Sequence, residues 1–329
     1  EPVPPTGGLK ANGVLNLLGR PQMHPLILLA RESFQNSWDA RLTDRGPLKY
    51  GVHGHRLSGD RLSALRGMFP DIGDHLPGLT SAFARDTLDA VEIRDGRSKG
   101  LDGPTRADLG GVGNYARFIL EIGRERSEAE LATGGTYGFG KGSYFRLSAS
   151  HTILVHSRCI TSDGSPESRL VGVSLGNGFT ENGRAHTGRH FFGATSTDGH
   201  VVPLLNGEAD EWASRIGFGV PAGDTGTAIL IVDFSPGGEE GDVDDQGGAA
   251  MDLRSAMECL RDQIVWQCWP RILPIVGSSD VEVELSLDGV DLKLPDPEAH
   301  PILRGLVSTY LSVLSGEGTA ISLSRPKVD

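Results

Sequence analysis

The sequence predicts a protein of mixed helix and strand, α+β or mixed α/β, on three observations. Leu26 to Arg41 has no helix breaker and follows Pro25, a residue tolerated at a first helical position. Thr227 to Phe234 is nearly continuous in apolar residues, as a buried strand is. Val281-Glu-Val-Glu-Leu-Ser-Leu and Val290-Asp-Leu-Lys-Leu flank Asp288-Gly289, a strong hairpin signal. Strands interleaved with separated helices point to those two classes.

In chain order, residues 1–24 are rich in Pro, Gly and Asn and read as an irregular arm. The helix from Pro25 comes next. Residues 42–90 mix turn signals (Arg45-Gly-Pro47, Gly51, Gly54) with one or two short helical stretches. Asp89 to Asp95 alternates like a strand and runs into a glycine-rich turn. Asn114 to Arg126 is helical in character, and Gly134 to Gly142 is a second glycine cluster. Strands are expected at His151–His156, Leu170–Leu175 and Thr227–Phe234. Residues 236–249 read as an acidic, glycine-rich linker, with Glu239, Glu240, Asp242, Asp244 and Asp245 and no base. Met251–Trp269 reads as a helix with Leu253, Met257, Leu260, Ile264 and Cys268 along one side, stopped by Pro270. Residues 250–329 are therefore expected to form a helix-plus-hairpin extension or the start of a second module.

Composition excludes several classes. The chain has 329 residues, 38% apolar, too many for general disorder, and its 46 glycines and 19 prolines lack a collagen period. A net charge of −12 argues against a protein that coats nucleic acid over its whole surface. Cys159, Cys259 and Cys268 have no zinc spacing and cannot build a disulfide framework. No apolar run approaches the roughly 18 residues of a membrane helix. A cytoplasmic protein without membrane contact is expected.

The informative segment is Glu32-Ser-Phe-Gln-Asn36-Ser-Trp-Asp39-Ala40. At about 100° per residue from Glu32, Asn36 falls near 40° and Asp39 near −20°. Ile27, Ala30, Phe34 and Trp38 fall between about 160° and 240°. One face thus gathers a carboxylate, an amide and a second carboxylate, while the opposite face is apolar. Alone, this is an ordinary amphipathic helix. It is followed by Asp95-Gly96-Arg-Ser98-Lys-Gly100, by Gly135-Thr-Tyr-Gly138-Phe-Gly140-Lys141-Gly142, and by Gly226-Thr227 opening the apolar strand.

In this order and with these residue types, roughly Leu26 to Phe234 resembles the GHKL superfamily of ATPases. Glu32-x-x-x-Asn36-x-x-Asp39-Ala40 is similar to the helical motif of its hydrolytic members, Gly135-x-x-Gly138-x-Gly140 to the lid motif, and Gly226-Thr227 to the fourth element. The second element departs: glycines follow Asp95 at +1, +5 and +8 rather than +2 and +4, with Ser98 and Gly100 standing as replacements. The resemblance implies a Bergerat-type two-layer sandwich, a mixed sheet covered by helices, that binds ATP with Mg²⁺. It implies Glu32 as the base that activates water, Asn36 as the Mg²⁺ ligand and Asp95 as acceptor of the adenine amine. Thr227 would bond near the same base edge, and Lys141 would meet the terminal phosphates with the amides of the glycine-rich lid. The insertion between Asn36 and Asp95 and the Gly-Phe-Gly-Lys of the lid look most like MORC-type ATPases and their bacterial defence-system relatives. That likeness implies an ATP-gated homodimer acting on an effector or partner protein. A competing class is a nucleotide sensor with negligible turnover that signals to a partner.

Gly135-x-x-x-x-Gly140-Lys141 also fits the start of a Walker A loop, but position 142 is Gly where that loop needs Ser or Thr. The ten histidines are scattered without a ligand set. Arg41, Arg45, Lys49, Arg56, Arg61 and Arg66 outnumber Asp44 and Asp60 in residues 41–66. A solvated face is the bland meaning of that stretch; weak, salt-sensitive DNA contact by a closed dimer is the sharper one.

Overall fold

The computed structural model describes residues 23–70, 72–106, 113–121, 139–237, 251–273 and 279–316, with Val3 and Gly110 as single positions and only the backbone of 139–141. Of the arm at 1–24 only Val3, Met23 and His24 are described, and residues 238–249 of the linker and the lid glycines Gly135 and Gly138 lie outside the described residues.

The chain begins with α1 (Pro25–Ala40), β1 (Leu48–Ser58), α2 (Gly59–Gly67), α3 (Pro77–Phe83) and β2 (Thr87–Gly96). Next come α4 (Phe139–Arg146), β3 (Ser148–Ile160) and β4 (Pro166–Leu175). Six short strands follow: β5 (Phe179–Glu181), β6 (Arg184–His186), β7 (Arg189–Phe192), β8 (Ala194–Thr195), β9 (Val201–Val202) and β10 (Leu204–Leu205). The remaining elements are α5 (Asn206–Ile216), β11 (Gly226–Phe234), α6 (Leu253–Ile272), β12 (Val281–Leu287), β13 (Val290–Asp291) and α7 (Leu303–Ser315).

The fold is α+β. Its main sheet runs β10-β4-β3-β11-β2-β1-β12-β13, with β7 also paired to β4. The pairings are antiparallel except that of β1 with β12, so the sheet is mixed. Strand alternation sends Val91 and Ile93 of β2 to one face and Leu88 and Ala90 to the other. The first face packs on α1 (Leu26, Leu29, Phe34), α4 (Phe145) and α6 (Leu253, Met257, Leu260, Ile264). This is the helix-on-sheet sandwich expected. The opposite face carries a further set of shorter helices, α2 (Leu62, Leu65), α3 (Leu79) and α5 (Ala213, Ile216), not all of them foreseen. Val281–Leu287 extends the same sheet beside β1, and α6 belongs to the same core as α1.

Several expectations are corrected. Gly51 and Gly54, read as turn signals, lie inside the eleven-residue strand β1. They mark close approach: a Cβ at Gly54 would stand 2.9 Å from Met257 Cγ, where α6 crosses the strand. Helix α6 continues past Pro270 to Ile272. Tertiary contacts hold that last turn, since Arg271 lies over the Trp38 ring and pairs with Asp280 at 3.3 Å. Ala116–Leu120 is a π-helical turn capped by Glu121, and the rest of the expected helix, 122–126, lies outside the described residues. Gly140, Lys141 and Gly142 fall in helix α4 rather than in a loop. Among the described residues, no helix is long and apolar enough to cross a membrane.

Candidate functional site

Helix α1 starts with Pro25 at its first position and is capped by the His24 side chain. Its far end is stitched to the turn after β2. Leu42 N–H donates to the Arg97 carbonyl at 2.8 Å, Lys99 N–H donates to the Ala40 carbonyl at 2.9 Å, and Arg41 bridges Ser98. The carboxylate motif on α1 and the one ending β2, more than fifty residues apart, therefore meet.

Asp95 is the junction. Its Oδ1 accepts the Thr227 N–H at 2.9 Å and the Ser98 hydroxyl, and its Oδ2 accepts the Ser37 hydroxyl at 3.1 Å. Four segments, α1, the end of β2, the following turn and the start of β11, thus converge on one buried carboxyl group. Burial pushes the Asp95 pKa up to about 6 despite the donors from Ser98, Thr227 and Ser37. Three donors leave acceptor capacity on Oδ2 for one more N–H.

The glycines around it are required by contact. A Cβ at Gly226 would collide with the Asp95 carbonyl and stand 2.9 Å from Asp95 Oδ1. Gly100 has φ +67°, and a Cβ there would strike the Arg158 carbonyl and stand 3.0 Å from that of Gly226. The Ser157 hydroxyl locks the arrangement, accepting the Leu101 N–H at 2.7 Å and donating to the Gly226 carbonyl at 2.9 Å.

The polar residues of α1 divide. Asn36 and Asp39 are exposed, and Asp39 accepts Gln35 Nε2 at 2.8 Å, outside the Asp95 junction. Glu32, expected on a solvated face, is only 6% exposed, with Arg31 Nε at 3.8 Å. Leu28 on the same side is buried as well. The cause is α4, which packs against α1 in addition to α6. From α4, the buried Tyr144 hydroxyl is hydrogen-bonded to the Asn36 side chain, and the Glu32 and Asp95 charges lie close enough to raise its pKa further above that set by burial. Gly142 is buried. Thr227 contributes its backbone N–H to Asp95.

Sequence reasoning missed Ser33, Ser37, Tyr50, Tyr144 and Ser157. Ser33 and Ser37 are one helical turn apart on the sheet-facing side of α1, and that spacing was a usable signal. Ser33 Oγ donates to the Leu29 carbonyl at 2.6 Å and lies 2.6 Å from the Tyr50 hydroxyl beneath the helix.

Of the basic stretch, Arg56 is bidentate to Asp89 at 2.8 and 3.1 Å. Arg61 donates to the Ile216 and Gly217 carbonyls, and Arg66 to that of Arg85. The length of β1 separates these three from Arg41 and Arg45, so residues 41–66 form no single patch.

No protein-family model matches the chain, and neither does any curated protein.

Proposed function

We propose that the chain is an ATPase of the Bergerat fold, binding adenine nucleotide between α1 and the ends of β2 and β11. The observation that carries this reading is the junction at Asp95, a buried carboxyl group held by donors from three separate segments with one acceptor position left. An exocyclic amine fills that position; guanine offers no donor there. Glu32, buried beside the exposed Asn36, is placed to take a proton from water as the new O–P bond forms and the bond to the ADP oxygen breaks. Asn36 supplies the one hard oxygen that Mg²⁺ commonly takes from protein, and the metal when bound neutralises phosphate charge. The first turn of α4, from Phe139, would present helix-terminal backbone N–H groups to phosphate. Lid closure, self-association and delivery to an effector rest on the resemblance of the motifs.

Two variants separate the steps. Glu32→Gln removes the proton acceptor at constant shape, and hydrolysis falls by about 10²–10⁴-fold with ATP affinity near that of wild type. Asp95→Asn instead loses ATP affinity and narrows preference over GTP. Undiminished turnover in Glu32→Gln refutes the hydrolytic role, and unchanged binding in Asp95→Asn refutes the pocket.

A further inference from the structure

On the opposite face of the sheet from α1, the Pro221–Thr225 segment and the side chains of Arg45, Lys49 and Arg97 line an open pocket of about 280 Å³. Lys49 leaves β1 on the side away from its neighbours Leu48 and Tyr50, which lie in the α1-side core. Three cations meeting in a chain of net charge −12 call for an explanation.

The acids present account for part of that charge. Asp224 Oδ2 accepts Lys49 Nζ at 3.2 Å, and Asp224 Oδ1 accepts the Arg97 and Thr225 N–H groups, both at 2.9 Å. Arg97 Nη1 donates to the Pro47 carbonyl at 2.8 Å and to Glu282, from outside the pocket, at 3.0 Å. Arg45 has no ion pair among the described residues. Counting Arg45, Lys49 and Arg97 against Asp224 and Glu282 leaves one positive charge uncompensated. Arg97 is also held at φ +57°, a backbone state that is costly away from glycine, and the Asp224 bond to its N–H keeps it there. The two guanidinium forks and the ammonium suit a compact oxyanion rather than an extended ligand, and the pocket is at the small end of ligand sites.

We propose that this pocket binds a phosphoryl oxyanion, either free phosphate or the terminal group of a phosphomonoester, through Arg45, Lys49 and Arg97. The anion shares Lys49 with Asp224. Asp224 in turn bonds the Arg97 N–H, two residues beyond Asp95, and Thr225 Oγ1 donates to the Ser98 carbonyl at 2.7 Å. The pocket and the Asp95 junction thus share one turn, seen from opposite faces of the sheet.

The test is calorimetric titration of the full chain with inorganic phosphate and, separately, with phenyl phosphate, at fixed ionic strength and without nucleotide. Saturable one-to-one binding of either compound is expected, and the compound that binds more tightly distinguishes the free ion from the monoester. An Arg45→Ala/Lys49→Gln double variant touches exposed or half-exposed side chains and is expected to keep its wild-type thermal midpoint. Its affinity should fall at least tenfold, while Asp95→Asn binds phosphate like wild type. Equal affinity in the double variant and wild type overturns the proposal. Loss in Asp95→Asn with retention in the double variant also overturns it, since phosphate then sits on the α1 side. Failure of ATP binding with phosphate binding intact refutes the nucleotide reading and leaves this pocket standing.

Discussion

Replacing Asp95 by Asn should stabilise the ligand-free protein while impairing nucleotide binding, a pair of effects of opposite sign from one atom. The folded-state pKa is about 6 against an ordinary aspartate value of 3.8, and burial is the largest cause. A raised carboxyl pKa means that the folded state holds its proton where the unfolded chain has released it. Wild-type stability therefore falls as pH rises from about 4 to about 6, and the loss is complete near neutrality. Roughly two pH units at 1.36 kcal/mol each amount to about 3 kcal/mol. Asn does not titrate, and its Oδ1 still accepts the Thr227 N–H and the Ser98 hydroxyl. Its Nδ2 turns toward Ser37, whose hydroxyl can accept as well as donate.

Urea denaturation at pH 4.5 and pH 7.5 measures this directly. Asp95→Asn should gain on wild type by about 2 kcal/mol between the two pH values, the remaining ~1 kcal/mol having been lost below pH 4.5. In the nucleotide assay the new Nδ2 donor opposes the adenine amine, so affinity falls. Wild-type affinity also falls as pH drops through about 6, when the acceptor takes a proton. Parallel stability–pH curves for the two proteins would show that the carboxyl is not desolvated as described, and the reasoning would fail.

Two further substitutions probe the contacts around this group. Gly226→Ala drives a Cβ against the Asp95 carbonyl; a loss of at least about 1–3 kcal/mol of stability is expected in thermal unfolding, and a neutral result would show that β2 and β11 are farther apart than described. Tyr144→Phe keeps the buried ring but removes the partner of Asn36, so stability should drop by about 1 kcal/mol and Mg²⁺-dependent nucleotide binding should weaken, with metal-free binding unchanged. Equal loss in the presence and absence of Mg²⁺ would separate Tyr144 from the metal role proposed for Asn36.

What was legible in the sequence was whatever depended on short-range pattern. The breaker-free stretch after Pro25, the apolar run of β11 and the Asp288-Gly289 hairpin each announce themselves within a dozen residues. β1 did not, because Gly51 and Gly54 answer to neighbours distant in sequence. The Gly54 contact is with Met257, some two hundred residues away, and no local window reports it. Pro270 misled for the same reason, since the packing of Arg271 on Trp38 outweighs a local stop signal. At the site, Asp95 and Gly226-Thr227 were readable as motifs, whereas Ser37 and Ser157 act only through pairings that the fold creates.

The burial of Glu32 has the same origin and a chemical consequence. A wheel drawn for one helix assumes that a single side is covered. α1 is covered twice, by the sheet with α6 and again by α4, so a carboxylate on its polar side loses most of its water. α4 begins at Phe139, inside the glycine-rich segment, and its Tyr144 reaches Asn36 with the Asp95 and Glu32 charges close by. Displacing α4 would therefore uncover Glu32 and release Asn36 together. Tyr144 thus ties the environment of both α1 residues to the position of α4.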